Sequence, residues 1–302
     1  MKKFSWKKKG LIIKPLKKGL WQTHAMIPTP EKITNYIYRI YFSGRNKKNQ
    51  SIIYWADINF KNEAKVIKYS KKPILEPGPL GCFDDNGVTP SCVIKINNNT
   101  KAMYYIGWNP GSTTRMNIYG GLAICASNSN VFKRWSNAPI LERTKTDPYI
   151  NTAPWVIKIS SKKYYMYYVS GKKWINKDKP VYNIKIAKSK DGLNWQRDGK
   201  VVINFSSKNE VALARPFVFF DDKRYKMVFS YKGKNYKLGY AESLDGLSWK
   251  RNDKIINFPL SKKDFDNKMS EYAIIIKIKS KYHMLYNGNN YGYDGIGYAI
   301  SE

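Results

Sequence analysis

The feature of this sequence that most constrains its fold is a fivefold internal repeat. A strand-like run rich in Tyr, Met and Phe, ending in or near a small or polar residue, occurs five times. The copies are residues 38–43, 103–108, 165–170, 225–230 and 282–287. Their alternating large apolar residues and aromatic composition predict strands rather than helices. A chain that repeats one unit in this way is expected to fold as an array of similar modules.

Two further markers flank these copies. An apolar strand that opens on proline or a near equivalent precedes each copy, in units of about sixty residues. These openings are Pro28, Pro90, Pro154, Pro216 and Ala273. A turn of the type Ser-x-Asp-Gly-x-x-Trp follows, most clearly at 189–195 and 243–249. Because Asp-Gly between two apolar runs is a strong hairpin signal, each unit is expected to hold about four antiparallel strands.

Five such units predict an all-β fold, a five-bladed β-propeller with four-stranded antiparallel blades. The fifth unit stops at 299–302, where its fourth strand should begin, and residues 5–13 resemble residues 248–256. We therefore expect the N-terminal strand to complete the last blade and close the ring, which removes exposed sheet edges. Residues 1–302 are then one propeller domain.

The charge balance restricts the partners of the chain. Its 302 residues include 54 Lys and Arg against 22 Asp and Glu, a net charge of +32 at pH 7. This excess favours a nucleic acid, an acidic glycan, a phosphate-bearing sugar or an anionic membrane surface. A compositional bias toward Lys, Asn, Ile and Tyr is the alternative cause. The sequence contains no signal-peptide core and no run of the ~18 apolar residues that span a bilayer, and its cysteine count is odd. We therefore expect a cytoplasmic protein, and the sequence does not specify its oligomeric state.

Candidate catalytic residues lie where the chain enters the first strand of each blade, because these positions face the propeller axis. Acidic residues recur there in four of the five units. Glycosyl transfer needs a proton donor and a second carboxylate, so these recurring acids, and Glu210 in particular, are candidates for such roles. His24 is a candidate proton shuttle, with a structural role as the alternative. Arg215 is expected to hold a carboxylate or phosphate, or to orient Glu210.

Further side chains near the same face are candidate substrate ligands. Aromatic residues there could stack on sugar rings, and two loops that follow second strands could reach over the channel mouth. For Asp84 a turn role is an equal alternative. The candidate substrate-binding residues are Asp84, Arg215, Arg115, Trp108, Glu271, Tyr272 and Asn287.

The repeats, the Ser-x-Asp-Gly-x-x-Trp turns and the recurring acids together resemble the five-bladed propellers of glycoside hydrolase families 43, 32 and 130. That resemblance implies a base or nucleophile on blade one, a modulating Asp on blade two and a Glu acid on a later blade. Asp85 and Glu210 match the last two, whereas His24 stands near the place of the first. The resemblance also suggests a calcium ion bound on the propeller axis, although nothing in the sequence specifies a metal. Residues 83–87 are similar to propeller proteins of bacterial polysaccharide loci, which implies surface-glycan biosynthesis.

Three functions follow in order of preference. The first is a glycosidase-like enzyme, a hydrolase, transglycosidase or phosphorylase, that acts on an anionic or nucleotide- or lipid-phosphate-linked sugar. The second is a carbohydrate-binding propeller without catalysis. The third is a nucleic-acid-binding or nucleic-acid-modifying protein, ranked last because the sequence contains no recognised nucleic-acid module.

Overall fold

The computed structural model describes residues 3–16 and 19–302, and these form an all-β structure. Its strands pair antiparallel in five sets of four, which we call sets one to five in the order of their first strands. The helical elements within the described residues are a 3₁₀ turn at Asp253–Ile255 and a one-turn helix, α1, at Asn289–Gly292. The predicted all-β class and the four-stranded repeat are therefore present.

The strand bounds follow the repeat, and strands are numbered in chain order. Set one contains β2 (Thr23–Lys32), β3 (Ile37–Arg45), β4 (Ser51–Asn59) and β5 (Lys65–Tyr69). Set two contains β6 (Gly87–Lys95), β7 (Thr100–Pro110), β8 (Met116–Ala126) and β9 (Lys133–Arg134). Set three contains β10 (Asn151–Ser160), β11 (Lys163–Asn176), β12 (Lys179–Ser189) and β13 (Val201–Ile203). Set four contains β14 (Ala212–Asp221), β15 (Arg224–Lys232), β16 (Tyr236–Ser243) and β17 (Lys250–Arg251). Set five contains β18 (Glu271–Ile278), β19 (Lys281–Asn287), β20 (Ile296–Ser301) and β1 (Trp6–Ile13).

The N-terminal strand lies in the last set. β1 pairs antiparallel with β20, with Trp6 opposite Ser301 and Lys8 opposite Ala299. The predicted pairing of the N-terminal strand with the fifth repeat is confirmed. Both ends of the chain are thereby held in one sheet.

Among residues 3–16 and 19–302, backbone ladders do not close the sets into a ring. Single parallel bridges join Ser51 to Gly87, Tyr119 to Asn151 and Tyr182 to Ala212, so sets one to four form one continuous sheet. Set five is a separate sheet. The first strands nevertheless contact one another in the order β2, β6, β10, β14 and β18, and β18 contacts β2.

Side chains at the ends of second strands join neighbouring sets. In β19, Asn287 accepts a hydrogen bond from the backbone N–H of Ile27 (2.8 Å) and donates to the carbonyl of Ala25 (2.8 Å), both in β2. Ser43 in β3 donates to the carbonyl of Val88 in β6 (3.1 Å). In three of the five copies the small or polar residue that ends the repeated strand therefore has a structural cause, since Ser43, Ser230 and Asn287 each bond to the first strand of the next set.

The proline markers lie inside the first strands rather than at their beginnings. The strands begin two to five residues before the predicted openings, and register shifts interrupt their pairing with the second strands near them. In four sets the residue before the marker has a positive φ: Ile27, Ala153, Arg215 and Tyr272. A bulge tolerates proline because the ladder is already broken there. The positive φ is a strained conformation for these side chains.

The Ser-x-Asp-Gly turns anchor each set on the preceding one. In the turn at 243–249, Gly246 has φ +72° and its N–H donates to Ser243 Oγ (2.9 Å). The carbonyl of Gly246 accepts a hydrogen bond from Tyr167 of set three (2.8 Å), and Trp249 packs edge-on against the same Tyr167 ring. The tyrosines of the repeated strand thus fill the spaces between sets.

We expect Asn287→Ala to lower the free energy of unfolding by about 2–4 kcal/mol, because it leaves buried backbone groups of β2 without partners. The comparison variant is Asn62→Ala at an exposed turn position, which should change stability by less than about 0.5 kcal/mol. Urea unfolding followed by tryptophan fluorescence measures both. Equal stability of the two variants would mean that Asn287 does not join the sets.

Candidate active site

A central cavity of about 890 Å³ lies among the first strands. Each of the five first strands contributes to its lining, and in each case the contribution includes the residue directly before the proline marker or its equivalent. These residues are Ile27, Thr89, Ala153, Arg215 and Tyr272. The positions predicted to face the axis therefore do converge on one concave site.

The cavity wall is strongly basic. Its lining includes six Lys or Arg residues and one carboxylate, that of Asp178. The basic residues are Arg45, Arg115, Lys179, Arg215, Lys232 and Lys234. Such a wall raises the local concentration of anions and disfavours a reaction that needs two carboxylates in the cavity.

Arg215 is the most unusual of these cations. Its side chain is buried (1% exposed), and Nη2 donates to the carbonyl of Pro28 (3.0 Å) and to Thr29 Oγ1 (2.9 Å) across the cavity in β2. Nε and Nη1 have no hydrogen-bond partner, the guanidinium lies 5.3 Å from the centroid of the Trp155 ring, and no acid in residues 3–16 or 19–302 forms a salt bridge with it. Burial lowers the pKa of Arg215 to about 10, so it stays charged at neutral pH. A buried cation without a counter-ion is costly unless a ligand supplies the anion.

Aromatic side chains form part of the same wall. Trp108 lines the cavity and donates through Nε1 to Ser51 Oγ (2.8 Å). The hydroxyls of Tyr182 and Tyr236 bond to each other, and the rings of Tyr272 and Tyr291 lie near that of Tyr236. Flat amphipathic rings of this kind suit the faces of sugar rings.

Glu271 lies directly behind this tyrosine wall, at the first residue of β18. Its side chain is fully buried, and neither carboxylate oxygen has a hydrogen-bond partner within 3.5 Å. Burial raises the pKa of Glu271 well above its ordinary value, and the neighbouring Tyr272 hydroxyl and the positive charge of Lys232 offset only part of this effect. Burial therefore favours the protonated form of Glu271, which is the form that a proton donor requires.

The recurring acids that precede the first strands have a structural cause. We call Asp84, Asp147, Glu210 and Asp266 the pre-strand carboxylates. Three of them accept a hydrogen bond from a second-strand tyrosine, at 2.9–3.0 Å. All four form a salt bridge with a basic residue of the third or fourth strand of their own set. These carboxylates tie each connecting loop to its sheet and are absent from the cavity lining given by the described residues.

Glu210, the predicted proton donor, is fully engaged in such a contact. Arg251 binds both carboxylate oxygens (2.8 and 2.9 Å), and the Ser206 hydroxyl and N–H donate to them as well (2.6 and 3.0 Å). Burial by itself raises the pKa of Glu210, but these hydrogen bonds outweigh it and the pKa lies below its ordinary value. An ionised carboxylate whose oxygens are all bonded cannot protonate a leaving group, so its contacts do not support the predicted role.

Three other candidates lie away from the cavity lining of the described chain. Asp85 accepts a hydrogen bond from the N–H of Gly81 in a loop (2.9 Å). His24 bonds to Thr23 Oγ1 (2.9 Å), and burial together with the charge of Arg45 lowers its pKa to about 4. Asn287 joins sets five and one. Of the predicted site residues, Trp108, Arg115, Arg215 and Tyr272 line the cavity, with Glu271 behind them.

Sequence reasoning missed most of the basic residues of the wall. Arg45, Lys179, Lys232 and Lys234 lie at or next to the turns between second and third strands. The same turns contribute Arg115 and Tyr291, which belong to the two loops singled out in the sequence. The signal in the sequence is that basic residues recur at this point of the repeat.

Metal and membrane features add little to the site. In residues 3–16 and 19–302, no three His, Cys, Asp or Glu side chains come together as metal ligands. The calcium ion implied by the resemblance therefore has no ligand cluster in that part of the chain. None of the helices formed by the same residues is long and apolar enough to cross a membrane.

Comparison with known proteins assigns the family. A model of the glycoside hydrolase family 130, described as beta-1,4-mannooligosaccharide phosphorylase, matches residues 164–295. The uncharacterized protein Rv1502 of Mycobacterium tuberculosis is 34% identical over 300 residues, which cover 99% of each chain. The chain therefore belongs to the protein family that includes Rv1502.

Solved structures share the fold. One, from work on family 130 mannoside phosphorylases and hydrolases that target beta-1,2 mannosidic linkages in Candida mannan, aligns with TM-score 0.71 at 14% identity, over 99% of this chain and 94% of that one. A thermostable family-43 glycoside hydrolase aligns with TM-score 0.66 at 17% identity, over 95% and 92%. The predicted resemblance to glycoside hydrolase propellers is confirmed. Together with the family model, it supports an enzyme of the glycosyl hydrolase or phosphorylase type.

The raised pKa of Glu271 predicts how stability depends on pH. The native state holds a proton that the unfolded state releases above about pH 4.3, so stability falls as pH rises from there toward the folded-state pKa. In Glu271→Gln this loss should vanish, and the difference from wild type should grow by about 1.4 kcal/mol per pH unit. Glu63→Gln, at a carboxylate that is 83% exposed, is the control. Parallel stability curves for wild type and Glu271→Gln in urea unfolding between pH 5 and 8 would contradict the assignment.

Proposed function

We propose that the protein cleaves or forms a glycosidic bond with a phosphate group held in the central cavity. The observation that carries this proposal is Arg215, a buried cation with two free donors and no counter-ion, in a wall with six basic residues and one carboxylate. A guanidinium binds phosphate through paired N–H donors, and burial strengthens that interaction. The description of the matching family model as a phosphorylase agrees with this ligand.

The reaction that suits this wall is phosphorolysis. A phosphate oxygen attacks the anomeric carbon, the bond from that carbon to the leaving oxygen breaks, and the leaving oxygen takes a proton from a protein acid. The products are a sugar 1-phosphate and a shortened glycan, and the reverse direction extends a glycan. Because phosphate is the nucleophile, the site needs a proton donor but no second carboxylate, unlike ordinary glycoside hydrolysis.

Glu271 is the candidate source of that proton. Burial favours its protonated form, and it directly precedes Tyr272, which lines the cavity. Burial is the main cause that raises the pKa of Tyr182, Tyr236 and Tyr272, and an ionised Glu271 would raise each of them further. In this scheme Glu271 supplies the proton, the tyrosines bind the sugar, and Arg215 with Arg115 holds the phosphate.

A nucleotide- or lipid-linked sugar is the alternative source of phosphate in the same cavity. Its phosphate would be part of the substrate rather than the nucleophile, which fits a cytoplasmic role in making a surface glycan.

The proposal also includes the finer architecture: the five sets are the blades of one propeller domain over residues 1–302, closed through Asn287. A carbohydrate-binding propeller without catalysis is the second candidate, favoured by the single carboxylate in the cavity lining of the described residues.

The test is a turnover assay on β-1,4-linked mannobiose with and without inorganic phosphate, alongside nucleotide sugars, with products identified by mass spectrometry. We expect mannose 1-phosphate only when phosphate is present. Glu271→Gln should lower kcat by about 10²–10⁴-fold, as for loss of a general acid. Arg215→Met should raise the KM for phosphate by at least about tenfold, the effect of a charge-assisted contact worth roughly 1.5–3 kcal/mol.

Glu210→Gln is the matched control for Glu271→Gln. It makes the same chemical change at a pre-strand carboxylate, so it should retain turnover wherever thermal unfolding shows that it is folded. Loss of activity in folded Glu210→Gln, with activity kept in Glu271→Gln, would return the acid role to Glu210. Saturable sugar binding without product in any arm would identify a binding protein instead.

A further inference from the structure

The cavity opens at one end of the sheets, where second strands turn into third strands. Residues from all five of these turns line it, including Asn49, Arg115, Lys179, Lys234 and Tyr291. We call this surface the mouth face. It consists of residues 45–50, 110–116, 172–180, 232–236 and 288–295.

Positive charge is concentrated on the mouth face. Its segments contain ten Lys or Arg residues and only two acidic ones, Asp178 and Asp294. The basic residues are Arg45, Lys47, Lys48, Arg115, Lys172, Lys173, Lys177, Lys179, Lys232 and Lys234. The loops at the opposite end of the sheets contain seven basic and five acidic residues. Those loops are 33–36, 60–64, 96–99, 127–132, 161–162, 190–200, 222–223, 244–249 and 279–280. The turns of the mouth face are therefore more basic than the loops at the opposite end of the sheets.

Exposed apolar side chains accompany these charges. Ile175, near the tip of the hairpin formed by β11 and β12, is 50% exposed and lies in sequence between Lys173 and Lys177. Leu80 is 97% exposed on the loop that leads into β6. That loop lies at the same end, because the carbonyl of Cys82 accepts a hydrogen bond from Asn109, next to Trp108 of the cavity wall. Tyr291 and Tyr293 are also exposed there.

We propose that the mouth face docks on an anionic lipid membrane. Lysines beside protruding apolar residues are the combination that binds such a surface: the charges are attracted to acidic headgroups, and the apolar side chains enter the boundary between headgroups and acyl chains. A soluble polyanion would use the lysines but would leave Ile175 and Leu80 in water. The exposed apolar residues therefore favour a membrane over a nucleic acid.

Docking in this way turns the cavity opening toward the headgroups. A sugar joined to a lipid through phosphate would then present its phosphate to Arg115 and Arg215 while its lipid stays in the membrane. The inference goes beyond the proposed function, because docking requires no turnover. Vesicle binding is measured without substrate, so its failure and the failure of the proposed reaction are distinguishable.

The experiment is co-sedimentation of the full chain with vesicles of phosphatidylcholine, with and without about 30% phosphatidylglycerol, at about 0.15 M salt, where charges screen over roughly 8 Å. We expect binding to the anionic vesicles only. Lys172→Glu with Lys173→Glu should weaken it by at least about tenfold, because each basic residue near the surface contributes about 1 kcal/mol. Leu80→Ser and Ile175→Ser should each weaken it by several-fold, which is on the order of one buried apolar group.

Matched controls at the opposite end separate a local surface from total charge. Lys162→Glu with Lys190→Glu makes the same change in net charge, and Leu244→Ser removes a leucine that is 69% exposed. Both should bind vesicles within about twofold of wild type, since their side chains lie far from the membrane beyond a Debye length. Equal losses in the Lys162/Lys190 and Lys172/Lys173 variants would overturn the proposal. So would charge-dependent binding that Leu80→Ser and Ile175→Ser leave unchanged and that single-stranded DNA competes away.

Discussion

The hydrogen bonds of Asn287 to β2, together with the bond from the His24 N–H to the Tyr293 carbonyl (3.2 Å), hold set five against set one, which no strand ladder among the described residues joins. They connect the sheet that contains both chain ends to the sheet of sets one to four. The N–H that Asn287 binds belongs to Ile27, which itself lines the cavity. The contact between sets and the wall of the site are therefore built from the same backbone, so the cavity keeps its shape only while set five stays against set one.

Arg215 shows what this arrangement makes possible. Its backbone has φ +51° at the bulge before Pro216, an unfavourable conformation that the surrounding sheet maintains. The bulge directs a guanidinium into the cavity, where Pro28 and Thr29 of the facing strand bind only one of its nitrogens. Strain and incomplete pairing at one residue are characteristic of ligand sites, because the bound ligand offsets costs that the protein alone does not.

Much of the fold was predictable from the sequence, and much of the site was not. The repeated strand, the turn around Gly246 and the pairing of Trp6 in the last set are local or repeated patterns, which the sequence displays directly. The contacts of Glu210 could not be predicted, because buried salt bridges and catalytic sites select the same residue type and only coordinates reveal Arg251 against it. Lys232 was missed since its approach to the cavity depends on how five distant turns come together.

The central claim is that phosphate binds in the cavity beside Arg215, and the most direct test is a crystal structure with mannose 1-phosphate. The account predicts density for the phosphate within hydrogen-bond distance of Arg215 Nη1 or Nε, with the sugar ring against Tyr182, Tyr236 or Tyr272. Density for the ligand elsewhere on the protein, with the cavity holding only water at saturating concentration, would contradict it.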